Sequence, residues 1–457
     1  MQNSQLRQRD GTLIYNKTNQ FEFYLSQDSS NLWFGFIPKS YPLVIAAFYM
    51  ALFIIRPWDI LFPWLGEIHF ERSYLIFMLV VVFLGGSKSI KLDSITMAVF
   101  FFLCALLIST VFSQNPLRSW EEVYPFISII LFYFILLKVV KTPYDLMFLF
   151  IIYIVTMMLY LMKSQWEFFI HGAHVYRQGV ARMRGIESAF GGPNWLAGSI
   201  ALSLPVLQLL WSVRKELTAN WSSFLKRWFP RILIIYSYLS VSSILLTNSR
   251  SGMIIFLVFI LLISLRGKGL SKKMLYLFLS LFFLIILWNL APGASKGRFM
   301  TMIDQKDAPK GAFDSALGRV AGFNAGIHAF NEYTSTGIGV GNLKEYRVKF
   351  VDGIPEEAHN LAGQLLGEVG VVGLIAFFLF TISIFRTVKR IRLVDGKRDI
   401  NYRIALTYSN VLILLFLEGI FNHNLLRYNW IWIAAFSSIT YDLVESYKNI
   451  IKLDKSY

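Results

Sequence analysis

The chain holds a single cysteine, Cys104, among its 457 residues. No disulfide can close within it, and a thiol inside an apolar stretch is a small core residue. Charge is scarce too: 16% of residues are Asp, Glu, Lys or Arg, against about 25% in an ordinary soluble domain. The sequence contains no GxxxxGK[ST], no GxGxxG between a strand and a helix, no HExxH and no Cys/His cluster at ligand spacing. Nucleotide cradles and zinc sites lack their residues, and neither a metal nor a cofactor is expected. The first forty residues are polar and carry Arg7, Arg9 and Lys17, with no apolar core before a small-residue cleavage site. No cleavable signal peptide is therefore expected. The chain also has no internal repeat and no low-complexity tract.

What it has is apolar length. Hydrophobic residues make up 55%, and the mean hydropathy is +0.52. Runs such as 74–84, 97–111, 127–137 and 254–265, with their flanks, approach the ~20 residues that cross about 30 Å of hydrocarbon. They lack period-2 alternation, so helices and not a barrel must satisfy the backbone in lipid. The expectation is an all-α, polytopic integral membrane protein of about twelve transmembrane helices. These fall near 41–55, 72–86, 93–113, 122–140, 144–163, 194–213, 231–247, 251–266, 273–291, 361–386, 403–420 and 427–445.

Orientation follows from the basic residues. Lys88 and Lys91, Lys138 and Lys141, Arg214 to Arg231, Arg266 to Lys273 and Arg386 to Arg398 fall in every second gap, which makes those gaps cytoplasmic. The division expected is a cytoplasmic segment 1–40, helices one to nine over 41–291, and an outer (periplasmic) loop 292–360. Helices ten to twelve follow over 361–445, then a cytoplasmic tail 446–457. Within the outer loop, apolar periodicity over 316–330 predicts an amphipathic helix. The net charge of +16 is spread among membrane loops and not clustered on a soluble face, so nucleic acid is not a partner.

Against that bias, Arg182, Arg184, Arg250, Arg319, Arg347 and Arg427 sit on the outer side, where guanidinium groups point to an anion. Arg250 lies in Asn248-Ser249-Arg250-Ser251-Gly252 at the start of a helix, whose amides and dipole add to its charge. An arginine snorkelling to headgroups would look the same. Arg182 and Arg184 precede Pro193-Asn194, a second helix start. His359 opens the tenth span, where an imidazole suits proton removal near neutral pH, though a polar cap would also fit. Glu368 follows inside the apolar helix, a costly place for a carboxylate without a site or partner. Asp59, Glu418, His423 and Arg427 have weaker claims. Gly337-Ile338-Gly339-Val340-Gly341, in an outer loop, predicts a tight turn and not nucleotide binding.

These residues give the chain its resemblance to the O-antigen ligase family, which includes O-antigen-type polymerases and O-oligosaccharyltransferases. Arg182-x-Arg184-Gly185 with Phe190-Gly-Gly-Pro-Asn-Trp-Leu-Ala197, the Asn248–Gly252 turn, Thr336–Leu343 and His359–Gly373 carry it, together with Arg56-Pro57. The resemblance implies a metal-independent, inverting glycosyltransferase of the bacterial inner membrane. Its partners would be a glycan on polyprenyl (undecaprenyl) diphosphate and a glycan or glycolipid acceptor, met on the periplasmic face. Carried over by position, Arg250 and one of Arg182 or Arg184 hold the diphosphate, with Arg319 as a further loop arginine. His359 is the base, and Glu368 joins it as a catalytic candidate. The lipid A-core sugar is the acceptor favoured, with polymerisation of lipid-linked repeats and protein O-glycosylation as alternatives. A small-anion transporter is the alternative of another class, but it calls for midplane polar residues and a pseudo-repeat.

Overall fold

The computed structural model describes residues 35–58, 61–84, 90–177, 180–186, 190–265, 310–394 and 400–454, with 8–9, 12–13, 32–33 and a few single residues between 271 and 296. Asp59, the expected ninth span and the loop before Lys310 lie outside these residues, apart from those single positions.

The described chain is mostly helical. In order it forms α1 (Tyr41–Ile55), α2 (Pro63–Glu67), α3 (Phe70–Leu84), α4 (Ser94–Val111), α5 (Pro116–Val139), α6 (Pro143–Ile170), α7 (Pro193–Leu217) and α8 (Ser223–Leu246). Then come α9 (Arg250–Leu265), α10 (Lys310–Glu332), α11 (Leu343–Phe350), α12 (Leu361–Gln364), α13 (Gly370–Val394), α14 (Ile400–Phe421) and α15 (Tyr428–Asp454). Outside the helices the chain pairs into short antiparallel ribbons. These are β1–β2 (Gln8–Arg9, Thr12–Leu13), β3–β4 (Leu32–Trp33, Ile37–Pro38) and β5–β6 (His174–Arg177, Val180–Met183). Runs of two to four residues are too short for alternation to register in sequence.

Among the described residues, seven helices are long and apolar enough to cross a membrane: α4, α5, α6, α7, α8, the continuous Leu361–Leu393 stretch and α14. That makes the chain a polytopic membrane protein. α1 and α9 are apolar but shorter, at 15 and 16 residues. The apolar window of α7 is 83% buried and that of α8 only 39%. α7 therefore runs through the centre, packed by α8, α9 and α14, while α8 leaves a broad apolar face outside.

Local chemistry sets the helix starts. Asp93 caps α4 through a 2.7 Å bond from the Thr96 amide. Thr142 and Asp145 form a capping box on α6, with Pro143 at its first position. The tenth expected span is not one regular helix: α12 passes through a π turn, Leu365–Val369, before α13 resumes at Gly370. A π turn leaves carbonyls without their usual helical partners. The glycine-rich turn takes them up, as the Ile338 amide donates to Gly367 O at 2.9 Å and the Gly339 amide to Glu368 O at 3.0 Å. Gly337 makes that approach possible, with φ +71° and no room for a Cβ against the Glu368–Val369 peptide.

Candidate active site

Glycines bring the site together. Gly318, Gly322 and Gly326 recur every fourth residue on one stripe of α10. A Cβ on Gly322 would press on the Ala358 backbone, and one on Gly326 would come within 2.7 Å of Gly363 Cα. Two backbones thus meet without intervening side chains, as small-residue stripes permit. Arg319 is three residues before Gly322, on the same side of α10, so this contact delivers its guanidinium to the chain segment around His359.

His359 is positioned by the helix it precedes. Asn360 caps α12, its Oδ1 accepting a 2.6 Å bond from the Gly363 amide. His359 takes φ +53°, a left-handed conformation that costs a residue with a Cβ about 1 kcal/mol and persists where the surroundings over-determine it. The segment leading to it is held by Arg347, fully buried, which pairs with Asp352 at 2.6 Å and donates to the carbonyls of Glu356 and Glu357 at 3.1 and 3.3 Å. The hydrogen bond from Arg347 holds the Asp352 carboxyl below its ordinary range.

A cleft of about 130 Å³ opens here, lined by Arg177, Asn194, Gly318, Arg319, Glu356, His359, Phe421 and Asn422. Burial, and then the nearby charge of Arg250, disfavour the protonated form of Arg319. Like charges gathered in a half-buried place are costly unless an anion balances them. Burial also lowers the His359 pKa, with Arg319, Arg347 and Arg177 adding to it and Glu356 opposing. Its Nε2 stands 3.9 Å from Glu356 Oε2. His423 meets it ring to ring, centroids 5.8 Å apart, and burial holds His423 at about 4.

The two candidate arginines of the 182–184 pair separate. Arg182 is buried in β6, where its Nε donates to Thr247 O at 2.9 Å and its Nη2 to Asn194 Oδ1 at 2.7 Å. The same Asn194 oxygen accepts from Ser249 Oγ at 2.9 Å, and Asn248 Nδ2 donates to Ala181 O at 3.2 Å. Arg182 thus fastens the ribbon to the turn that launches Arg250 and touches the cleft through Asn194. Arg184 is exposed and lines neither cavity described here. Arg250 begins α9, whose third amide is capped by Ser249 Oγ at 3.1 Å; it reaches the cleft by its charge on Arg319.

Glu368 lies elsewhere. It lines a neighbouring cavity that does not include His359. Arg427 is committed internally: it is ion-paired with Glu418, bonded to Ser199 Oγ at 2.5 Å and set over the Trp195 ring at 5.0 Å. Sequence reasoning missed Arg177, Asn422 and Glu356. Arg177 falls in a gap expected to face outward, like the arginines singled out, but it ends a four-residue strand that no periodicity announced. Among the described residues no group of three or more His, Cys, Asp or Glu is placed to hold a metal ion.

No curated protein matches the chain. A family profile does, the one described as O-Antigen ligase, over residues 235–378. That stretch runs from within α8 to within α13 and includes Arg250, Arg319, His359 and Glu368. The members of this family are glycosyltransferase-like membrane enzymes, and the chain is similar to them over that stretch, less than half of its length.

Proposed function

We propose that the protein transfers a glycan from a polyprenyl-diphosphate carrier to an acceptor hydroxyl, with inversion and without a metal, on the periplasmic face of the bacterial inner membrane. The reading rests above all on one observation: Arg319 and Arg177 share a cleft with His359, and Arg250 lies near enough to act on Arg319. In the reaction the acceptor oxygen bonds to the anomeric carbon as the bond from that carbon to the diphosphate oxygen breaks. The acceptor proton passes to His359, whose low basicity in this cleft keeps it neutral and able to accept near pH 7. The carrier diphosphate takes the bonding electrons, and guanidinium groups already in place stabilise that developing charge. Such preorganised cations do the work a divalent ion would otherwise do. Glu356 is set to balance the imidazolium once it forms.

The favoured acceptor is a lipid A-core sugar, as in an O-antigen ligase. Purified protein in detergent with EDTA, given polyprenyl-diphosphate-linked glycan and a choice of acceptors, tests both parts. The acceptors are lipid A-core saccharide, a second lipid-linked repeat and a protein substrate. Glycan appearing on the core saccharide is expected; its appearance on another acceptor reassigns the acceptor, and no transfer to any of them overturns the reading.

A further inference from the structure

A cavity of about 310 Å³ lies beside the arginine cleft, and His423, which faces His359, forms part of its wall. Its chemistry differs from the cleft's: glutamates predominate, beside Arg427, which is ion-paired with Glu418. Glu122, Glu357 and Glu368 line it, together with the aromatic rings of Trp195 and Tyr428. Glu122 has a partner in Arg118 at 2.8 Å. Glu368 is 1% exposed, and its Oε2 has no hydrogen-bond partner; the Nδ1 of His423 is in the same state. A buried polar atom left unpaired is costly, and a hydrogen-bonding group from outside the protein would satisfy it. The helix is also irregular at this point, since the π turn Leu365–Val369 contains Glu368.

We infer that this cavity binds the pyranose ring of the acceptor. The volume is at the lower end for small-molecule pockets, about 300–1,000 Å³. Carboxyl groups pair with hydroxyls, which both donate and accept, so a ligand rich in hydroxyls, such as a sugar, suits this lining. The diphosphate belongs with the arginines of the neighbouring cleft, since the guanidinium in this wall, Arg427, is ion-paired with Glu418. The aromatic rings suit the C–H face of a sugar. The inference rests on the transferase reading, and inversion then fixes which sugar it is: the hydroxyl must approach opposite the leaving diphosphate, across the His359–His423 pair from the arginines.

Two experiments test it on the detergent-purified full chain. In the transfer assay, Glu368→Gln and Glu357→Gln are each expected to raise the acceptor KM at least tenfold, equivalent to about 1.4 kcal/mol, with the donor KM within twofold of wild type. A rise in donor KM instead, or no change in either, overturns the assignment. Saturation-transfer NMR with the methyl glycosides of glucose, galactose and N-acetylglucosamine needs no catalysis. Contact with at least one glycoside is expected in wild type and in His359→Ala, and loss of it in Glu368→Gln. Absence of contact for every glycoside in wild type overturns the pocket. Contact without any transfer would overturn the transferase reading and leave the pocket standing. If Glu368→Gln does not fold, Glu357→Gln, in the loop, carries the same tests.

Discussion

At the residue scale, two arginines two positions apart have different fates. Arg182 is buried and bonded to Thr247 O and Asn194, while Arg184 is exposed. Arg182→Ala removes hydrogen bonds from a charged donor, each worth about 1.5–3 kcal/mol, and is expected to lower the melting temperature and slow transfer together. Arg184→Ala is expected to leave stability within about 0.5 kcal/mol and transfer unchanged, and thermal unfolding beside the transfer assay checks both. The pH profile belongs to His359. Its pKa is lowered by burial, so the neutral base is fully present at neutral pH and is lost only as pH falls below the ordinary histidine range, near 6.5. Glu356 opposes that shift; Glu356→Gln should therefore move the acidic limb of kcat/KM to lower pH while reducing the maximal rate. An acidic limb at or above 6.5 in wild type would contradict this account of the base.

At the element scale, the site depends on how closely α10 approaches α12. Gly326→Leu puts a side chain where Gly363 Cα would be 2.7 Å from its Cβ. Overpacking of this kind costs about 1–3 kcal/mol, and here it pushes Arg319 away from His359. Transfer is expected to fall at least tenfold in protein that still folds; unchanged transfer would mean the glycine contact does not set the arginine's place. This contact also marks the limit of what the sequence disclosed. The helix start at Pro193 was legible because its signal is local; the caps at Thr142 and Asn360 are just as local but were not singled out. The Gly318-Gly322-Gly326 stripe was not singled out, because its partners at 358–367 come from another element. The π turn at Glu368 was not legible at all, since its free carbonyls are met by a loop some thirty residues earlier in the chain. That turn, in the 361–386 span, is what sets Glu368 in the neighbouring cavity and not beside the base.

At the scale of the whole molecule, apolar length was the plainest message in the sequence. Helices stand over eleven of the twelve expected spans, and seven have the length and hydropathy to cross a membrane among the described residues. Their buried and lipid-facing sides follow from neighbours, as the contrast between α7 and α8 makes plain. The starts of α7, α9 and α12 meet in one region, through Asn194, its hydrogen bond from Ser249 and His359, joined by Arg319 of α10. Helix starts are favourable places for anions, which accords with the proposal that the cleft beside them holds the carrier diphosphate.

The most direct test of the account compares wild type with His359→Ala and Arg319→Ala in EDTA, following transfer from polyprenyl-diphosphate-linked glycan to the lipid A-core saccharide in protein shown to be folded. Loss of a general base is expected to cost about 10²–10⁴-fold, and loss of a charge-stabilising donor about 10²–10³-fold. Transfer at the wild-type rate in either variant would contradict the site described here.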